Sequence, residues 1–212
     1  MKTLLLFGFE PFAGDTVNPS GEIARRLDGR VIAGHRVTGA VLPCAFGASV
    51  ADLRRLLRRH RPSLVIGLGL AAGRAAITPE RVAINVDDAR IADNAGACPV
   101  DRPVVRGGPA AYWSTLPIKA IVAALRREGL PAAVSQTAGT FVCNHAFYGL
   151  MHALARRHGV RGGFVHVPAI PELARRGQPR LSLARMIRAT EIIVTVAARR
   201  RVDVKRAGGA IG

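Results

Sequence analysis

Short apolar runs alternate with amphipathic stretches almost from one end of the chain to the other. The runs rich in branched and small apolar residues predict strands over Thr3–Gly8, Arg36–Leu42, Ser63–Leu68, Val82–Val86, Ala132–Gln136 and Gly163–Val167. Between them, apolar positions at helical spacing predict helices over about 19–28, 47–60, 117–129, 141–158 and 182–200. In 47–60, Val50, Leu53 and Leu57 fall on one stripe, and Arg54, Arg55, Arg58 and Arg59 turn toward solvent. Strands alternating with helices in this way build a mostly parallel sheet covered by helices on both faces. Ligands of such open sheets bind outside the carboxyl ends of the strands. That rule directs attention to Phe9–Ser20, Gly69–Glu80, Asp87–Gly96, Thr137–Asn144 and His166–Pro171. The stretch 87–116 shows little periodicity and carries Gly96, Pro99, Pro103, Gly107, Gly108 and Pro109, so a long loop or irregular hairpin is expected there.

Composition narrows the class. At 212 residues and 49% hydrophobic, the chain is no disordered basic tail, and its length fits a single domain over 1–212. A basic C-terminal tail over 200–212 is expected to be flexible. The formal charge is +17; of 31 basic residues only Lys2, Lys119 and Lys205 are lysines, which leaves 28 arginines. Such an excess invites a nucleic-acid reading, yet the arginine pairs 25–26, 126–127, 156–157 and 175–176 and the run 199–201 are scattered, mostly near helix ends. With one Trp and two Tyr there is little for bases to stack on, so only nonspecific adhesion to nucleic acid is expected. Cys44, Cys98 and Cys143 cannot all pair, and they show no metal-binding spacing, so neither metal nor cofactor is expected. Free thiols favour a reducing, cytoplasmic setting. The opening apolar run ends too early for a signal peptide, and no uncharged stretch approaches the roughly 18 residues that cross a bilayer.

Of the three thiols, Cys143 has the most suggestive surroundings. A strand ending near Gln136, a turn at Ala138-Gly139 and a helix starting close to Thr140 place it in a first helical turn, with Gly159 as the expected C-cap. There the positive end of the helix dipole lowers a thiol's pKa and favours the nucleophilic thiolate. The competing reading is a small buried hydrophobe. An acyl-transferring thiol needs a histidine within reach. His145 lies two residues on, about 200° round the helix, and faces away. His152 is similarly out of phase, and His35, His60 and His158 sit at element edges where solvent exposure is expected. His166, at the end of GGFVHVP, projects from a strand end into the crevice and is the favoured partner. For a carboxylate that orients the imidazole, Glu80 competes with Asp87, Asp88 and Asp93, and spacing does not rank them. Gly67-Leu68-Gly69-Leu70-Ala71-Ala72 imitates a dinucleotide fingerprint, but it comes at the third strand, and Thr78-Pro79 interrupts any crossover helix; its glycines are expected to allow close approach of a ligand or another loop.

Four stretches resemble the pyroglutamyl peptidase I family of cysteine peptidases: GFEPFAGDTVNPS at 8–20, GLGLAAGRAAITPERVAINVDDARIADNAG at 67–96, SQTAGTFVCNHAFYGLMH at 135–152 and GGFVHVPAIPE at 162–172. The resemblance implies a three-layer α/β/α sandwich with a mixed, mostly parallel central sheet, and a homodimer or homotetramer. It implies Cys143 as nucleophile, His166 as acid–base and Glu80 as third member, so it chooses among the carboxylates. It further implies Arg90 at the oxyanion, Phe9 and Phe12 against the substrate ring, and peptides with N-terminal pyroglutamate as substrates. Two departures, Leu70 where the family usually has Gln and Ala169 where it has an aromatic, border the expected site and leave open a related hydrolase of altered specificity.

Overall fold

The structure, a computed structural model, describes residues 1–209. Strand β1 (Lys2–Phe9) runs through the middle of a six-stranded sheet. Its Leu4 and Leu6 are enclosed on one face and its Leu5, Phe7 and Phe9 on the other. A strand without polar alternation has to be covered on both sides, as buried parallel strands are. The parallel core consists of β3 (His35–Leu42), β1, β4 (Leu64–Leu70) and β8 (Arg161–Val167), paired in that order. Two-residue antiparallel strands close the edges: β2 (Val31–Ile32) on β3, and β5 (Thr78–Pro79) on β8. Helices α1 (Pro19–Leu27), α3 (Ile118–Arg127) and α5 (Leu183–Arg199) pack on the Leu4/Leu6 face. Helices α2 (Ala48–His60) and α4 (Val142–Leu154) pack on the Phe7/Phe9 face. The result is the expected α/β/α sandwich. Among the described residues no helix is long and apolar enough to cross a membrane.

All five predicted helices form, with shorter ends. The last turn expected of α4 is lost: it stops at Leu154, and the chain then turns, Arg157 N–H to Leu154 C=O, so that Gly159 (φ 82°) serves the exit turn rather than a helix cap. Two predicted strands fare differently. Val82–Val86 yields β6 (Val82–Ile84), which leaves the main sheet and pairs with β7 (Ala111–Trp113) in a separate ribbon. Ala132–Gln136 makes only isolated bridges to Ile77 and Glu80, bonding beside 77–81 without a continuous ladder. His35, expected at the surface, is buried; its Nδ1 lies 3.2 Å from the Ala33 carbonyl.

The aperiodic 87–116 stretch is an irregular hairpin. It springs from β6 and β7 and is cross-linked by an Asp87–Arg102 bridge. Asn144 of α4, fully enclosed, pins its base with three bonds, donating to Ile84 and Val86 carbonyls and accepting the Ile84 N–H. At the other end of the chain, residues 200–209 have no regular structure, but Asp203 accepts the N–H groups of Lys119 and Ala120 at the start of α3, where the N-cap Pro117 supplies no acceptor, and the Gly208 carbonyl accepts from Arg81. Of the tail expected to be flexible, residues 210–212 lie outside the described part.

Candidate active site

Cys143 is the second residue of α4. The N-cap residue, Phe141, offers no side-chain acceptor, so the first backbone N–H groups of the helix have no cap from it. The sulfur rests on the sheet where β4 has no side chain: a Cβ placed on Gly69 would stand 2.8 Å from Cys143 Sγ and 2.9 Å from the Phe164 ring. Gly69 is the β4 residue paired laterally with His166 of β8. The absence of a Cβ at 69 thus seats the thiol over the strand position beside the imidazole. Gly67, one pleat back, accommodates the rings of Phe7 and Phe164 in the same manner. The glycines that imitate a dinucleotide fingerprint lie inside a strand and make room for side chains.

His166 is 4% exposed and stands edge-on to Phe164, with ring centroids 5.2 Å apart. Its Nδ1 lies 2.7 Å from Oε1 of Glu80. An ionised carboxylate only accepts, so Nδ1 is the donor of this bond, and in the neutral imidazole the lone pair is then on Nε2. Glu80 reaches this position because β5 runs antiparallel beside β8; Thr78 pairs with His166, Pro79 with Val165, and the Glu80 N–H donates to the Phe164 carbonyl. The carboxylate is fully buried and also receives Arg74 Nη1 at 2.6 Å. Sequence reasoning missed Arg74, which sits in the turn after β4 with no periodic pattern to single it out.

The rival carboxylates are occupied elsewhere. Asp87 Oδ2 pairs with His145 Nδ1 at 2.8 Å, while His145 Nε2 accepts the Gly47 N–H at 3.0 Å. Asp93 accepts backbone N–H groups of Phe46, Ala95 and Ala97. Asp88 is exposed; its backbone exchanges two bonds with Thr140, three residues before the thiol. Arg90 is exposed on that same hairpin loop, and among the described residues its guanidinium makes no hydrogen bond. Phe9, the last residue of β1 rather than a loop residue, is 2% exposed in a cluster with Phe7 and Phe164. Phe12 is half-buried and tilts against Phe141, which Phe46 meets edge-on at 5.4 Å. Phe46 and Phe141 were not singled out by the sequence. Leu70 ends β4 half-buried, and Ala169 is completely enclosed.

Electrostatics modify the expectation of a ready-made thiolate. Burial pushes the Cys143 pKa up, with the nearby Cys44 and Glu80 adding to the rise and Arg74 opposing it. Part of the residue's surface is accessible, but protein surrounds the sulfur closely enough that charge there is poorly solvated. Desolvation thus works against the helix terminus for charge on the sulfur. Cys44, buried near Glu10 and Asp93, is pushed up to about 12, chiefly by desolvation. A cavity of about 640 Å³ between α3 and α5, rimmed by Arg127, Arg188 and Arg199, lies across the sheet from the thiol.

Chemically, a sulfhydryl beside an imidazole whose far nitrogen is held by a carboxylate suits acyl transfer of the cysteine-hydrolase type. The pyroglutamyl peptidase family model matches residues 1–200. The pyrrolidone-carboxylate peptidase of Klebsiella pneumoniae is 56% identical over 212 residues, 99% of each chain, and that of Chromobacterium violaceum is 57% identical over 213 residues, the whole of each. Among solved structures, pyroglutamyl peptidase I of Bacillus amyloliquefaciens superposes with a TM-score of 0.95 at 48% identity, over 97% of this chain and 99% of that one. Pyrrolidone carboxyl peptidase of Thermococcus litoralis gives 0.93 at 38% identity, over 98% and 100%. The chain belongs to the pyroglutamyl peptidase family.

Proposed function

We propose that the protein is a cysteine peptidase that removes an N-terminal pyroglutamyl residue from peptides, with Cys143 as nucleophile, His166 as acid–base and Glu80 as its orienting partner. The observation that carries this reading is the seat of Cys143 Sγ over Gly69, the strand neighbour of a histidine whose Nδ1 is engaged by Glu80. As the sulfur attacks the pyroglutamyl carbonyl carbon, His166 Nε2 takes the thiol proton, which fits a nucleophile that rests protonated. The tetrahedral oxyanion faces the uncapped N–H groups that open α4, with Arg90 as the side-chain candidate. Collapse breaks the amide C–N bond, and the imidazolium gives its proton to the departing amine. Water then adds to the thioester, His166 Nε2 accepting its proton; expulsion and reprotonation of the sulfur free pyroglutamate.

Pyroglutamate has no free amine, so its recognition rests on a flat neutral ring with one N–H and one lactam carbonyl. Phe12 and Phe141 offer half-buried aromatic surface for such a ring, and Phe9 backs it from the core.

The test is release of amine from a pyroglutamyl anilide. Wild-type protein is expected to hydrolyse it, and Cys143→Ala to leave no measurable activity; full activity in that variant ends the proposal. Because burial raises the thiol pKa, iodoacetamide inactivation is expected to accelerate from neutral to alkaline pH, by up to about tenfold per pH unit. A rate constant already flat at neutral pH refutes the resting-thiol step.

A further inference from the structure

The acid–base pair has a third member that no part of the mechanism above uses. Arg74 lies in the turn that follows β4, its N–H bonded to the Ala71 carbonyl. Its guanidinium reaches three acceptors on two separate segments. Nη1 donates to Glu80 Oε1 at 2.6 Å and to Thr78 Oγ1 at 2.7 Å, and Nη2 donates to the Thr137 carbonyl at 2.9 Å. Thr78 belongs to β5, the strand that delivers Glu80 alongside β8. Thr137 belongs to the 135–140 segment that feeds directly into α4 and Cys143. One planar fork therefore touches the carboxylate, the strand that carries it and the approach to the nucleophile.

The attachment of Glu80 makes that fork consequential. Oε1 accepts from both His166 Nδ1 and Arg74 Nη1, while Oε2 is buried and has no hydrogen-bond partner among the described residues. Both donors hold the same oxygen, and nothing holds the other. With His166 alone as partner, the carboxylate is free to rotate about its terminal bond and to present either oxygen at a poorer angle. Arg74 fixes which oxygen faces the imidazole, and with it the ring plane that aims Nε2 at the sulfur. A guanidinium suits this task because its donors lie in one rigid plane; an ammonium satisfies the charge without spanning three acceptors.

We infer that Arg74 is a positioning residue of the reaction: it locks the Glu80 carboxylate against His166 and ties that pair to the strand-to-helix turn that presents Cys143. The inference rests on the catalytic roles given to Cys143, His166 and Glu80. The side chain is 29% exposed, so a small guanidinium compound can reach the space left by its removal.

The test compares wild type with Arg74→Ala, Arg74→Lys, Cys143→Ala and His166→Ala on the pyroglutamyl anilide. Arg74→Ala is expected to lower kcat by about 30-fold with KM within about threefold of wild type, the split expected of a residue that never touches substrate. Millimolar guanidinium or ethylguanidinium is expected to restore part of that kcat and to do nothing for Cys143→Ala. The proton on His166 Nδ1, followed by NMR, is expected to lose its hydrogen-bonded downfield shift in Arg74→Ala, which a merely structural role would leave in place. Arg74→Lys keeps the charge in a side chain of similar reach and covers the case in which the alanine variant does not fold; its kcat is expected to fall at least about fivefold. Wild-type kcat in either folded variant, an unchanged Nδ1 proton signal, or a loss confined to KM overturns the inference. The two further variants separate this failure from a broader one: if Cys143→Ala and His166→Ala are active, the catalytic reading itself fails, whereas if both are dead and Arg74→Ala is fully active, only the role of Arg74 does.

Discussion

Two buried imidazole–carboxylate pairs flank the thiol, and they differ in what happens at the second ring nitrogen. His166 and Glu80 meet at 2.7 Å, His145 and Asp87 at 2.8 Å, and both histidines are nearly enclosed. His145 Nε2 is already spent on the Gly47 N–H, the cap position of α2. Among the described residues, His166 Nε2 has no hydrogen bond, and it lies on the strand next to the seat of the sulfur. Proton transfer needs an uncommitted lone pair, so one pair is equipped for chemistry and the other fastens α4 to the hairpin and to α2. Proximity in sequence misleads here: the histidine two residues from Cys143 has both ring nitrogens engaged, and the one on a distant strand is the one proposed as the base.

The comparison can be broken first at its strongest point. His166→Ala is expected to lower kcat by about 10²- to 10⁴-fold, the usual contribution of a general acid–base, with a thermal midpoint close to wild type. Activity within tenfold of wild type in that variant would falsify the assignment of the two pairs. A smaller effect is expected at the seat of the thiol. Gly69→Ala puts a methyl 2.8 Å from Sγ, so the sulfur must shift, and kcat is expected to drop about tenfold with little change in KM. An alanine variant as active as wild type shows that the seat is loose. The smallest effect on turnover belongs to the fastening pair. His145→Ala and Asp87→Ala each leave a buried polar group without its partner, which costs about 1–3 kcal/mol of stability. For a domain of this length that corresponds to a midpoint lower by about 2–4 °C per kcal/mol in a melting curve. Below the transition, kcat/KM is expected within about threefold of wild type; a loss comparable to that of His166→Ala would make His145 a second base.

Much of the frame is legible in the chain because its signals are local. The glycine–helix run around Cys143, the five helices and the parallel core follow from periods of a few residues, whereas the strand expected ahead of Gly139 makes only isolated bridges. Glu80 is harder. Its placement depends on β5, two residues whose Thr-Pro sequence carries no strand signature and whose partner lies far along the chain. Spacing left it level with Asp87, Asp88 and Asp93; the family resemblance singled it out, and geometry then shows Asp87 engaged by His145 and Asp93 by backbone N–H groups. Arg74 was invisible for a related reason: one arginine among 28 becomes distinctive only when two segments distant from each other converge on it. For the thiol's pKa, the helix terminus is read from sequence, whereas the desolvation that opposes it comes from packing. Asn144, beside Cys143, was overlooked because its three bonds go to a hairpin whose path no periodicity announces.

The bond between His166 and Glu80 spans 86 positions of chain, and the strand that carries Glu80 has no place to dock until β8 exists. During synthesis Glu80 therefore emerges well before the imidazole it is to engage, and the pair is incomplete until β8 is made. Contacts of such separation form late, after the loop-closure entropy they demand has been offset. In a refolding experiment helical circular dichroism should recover ahead of turnover, which makes peptidase activity a reporter of the final docking step rather than of collapse.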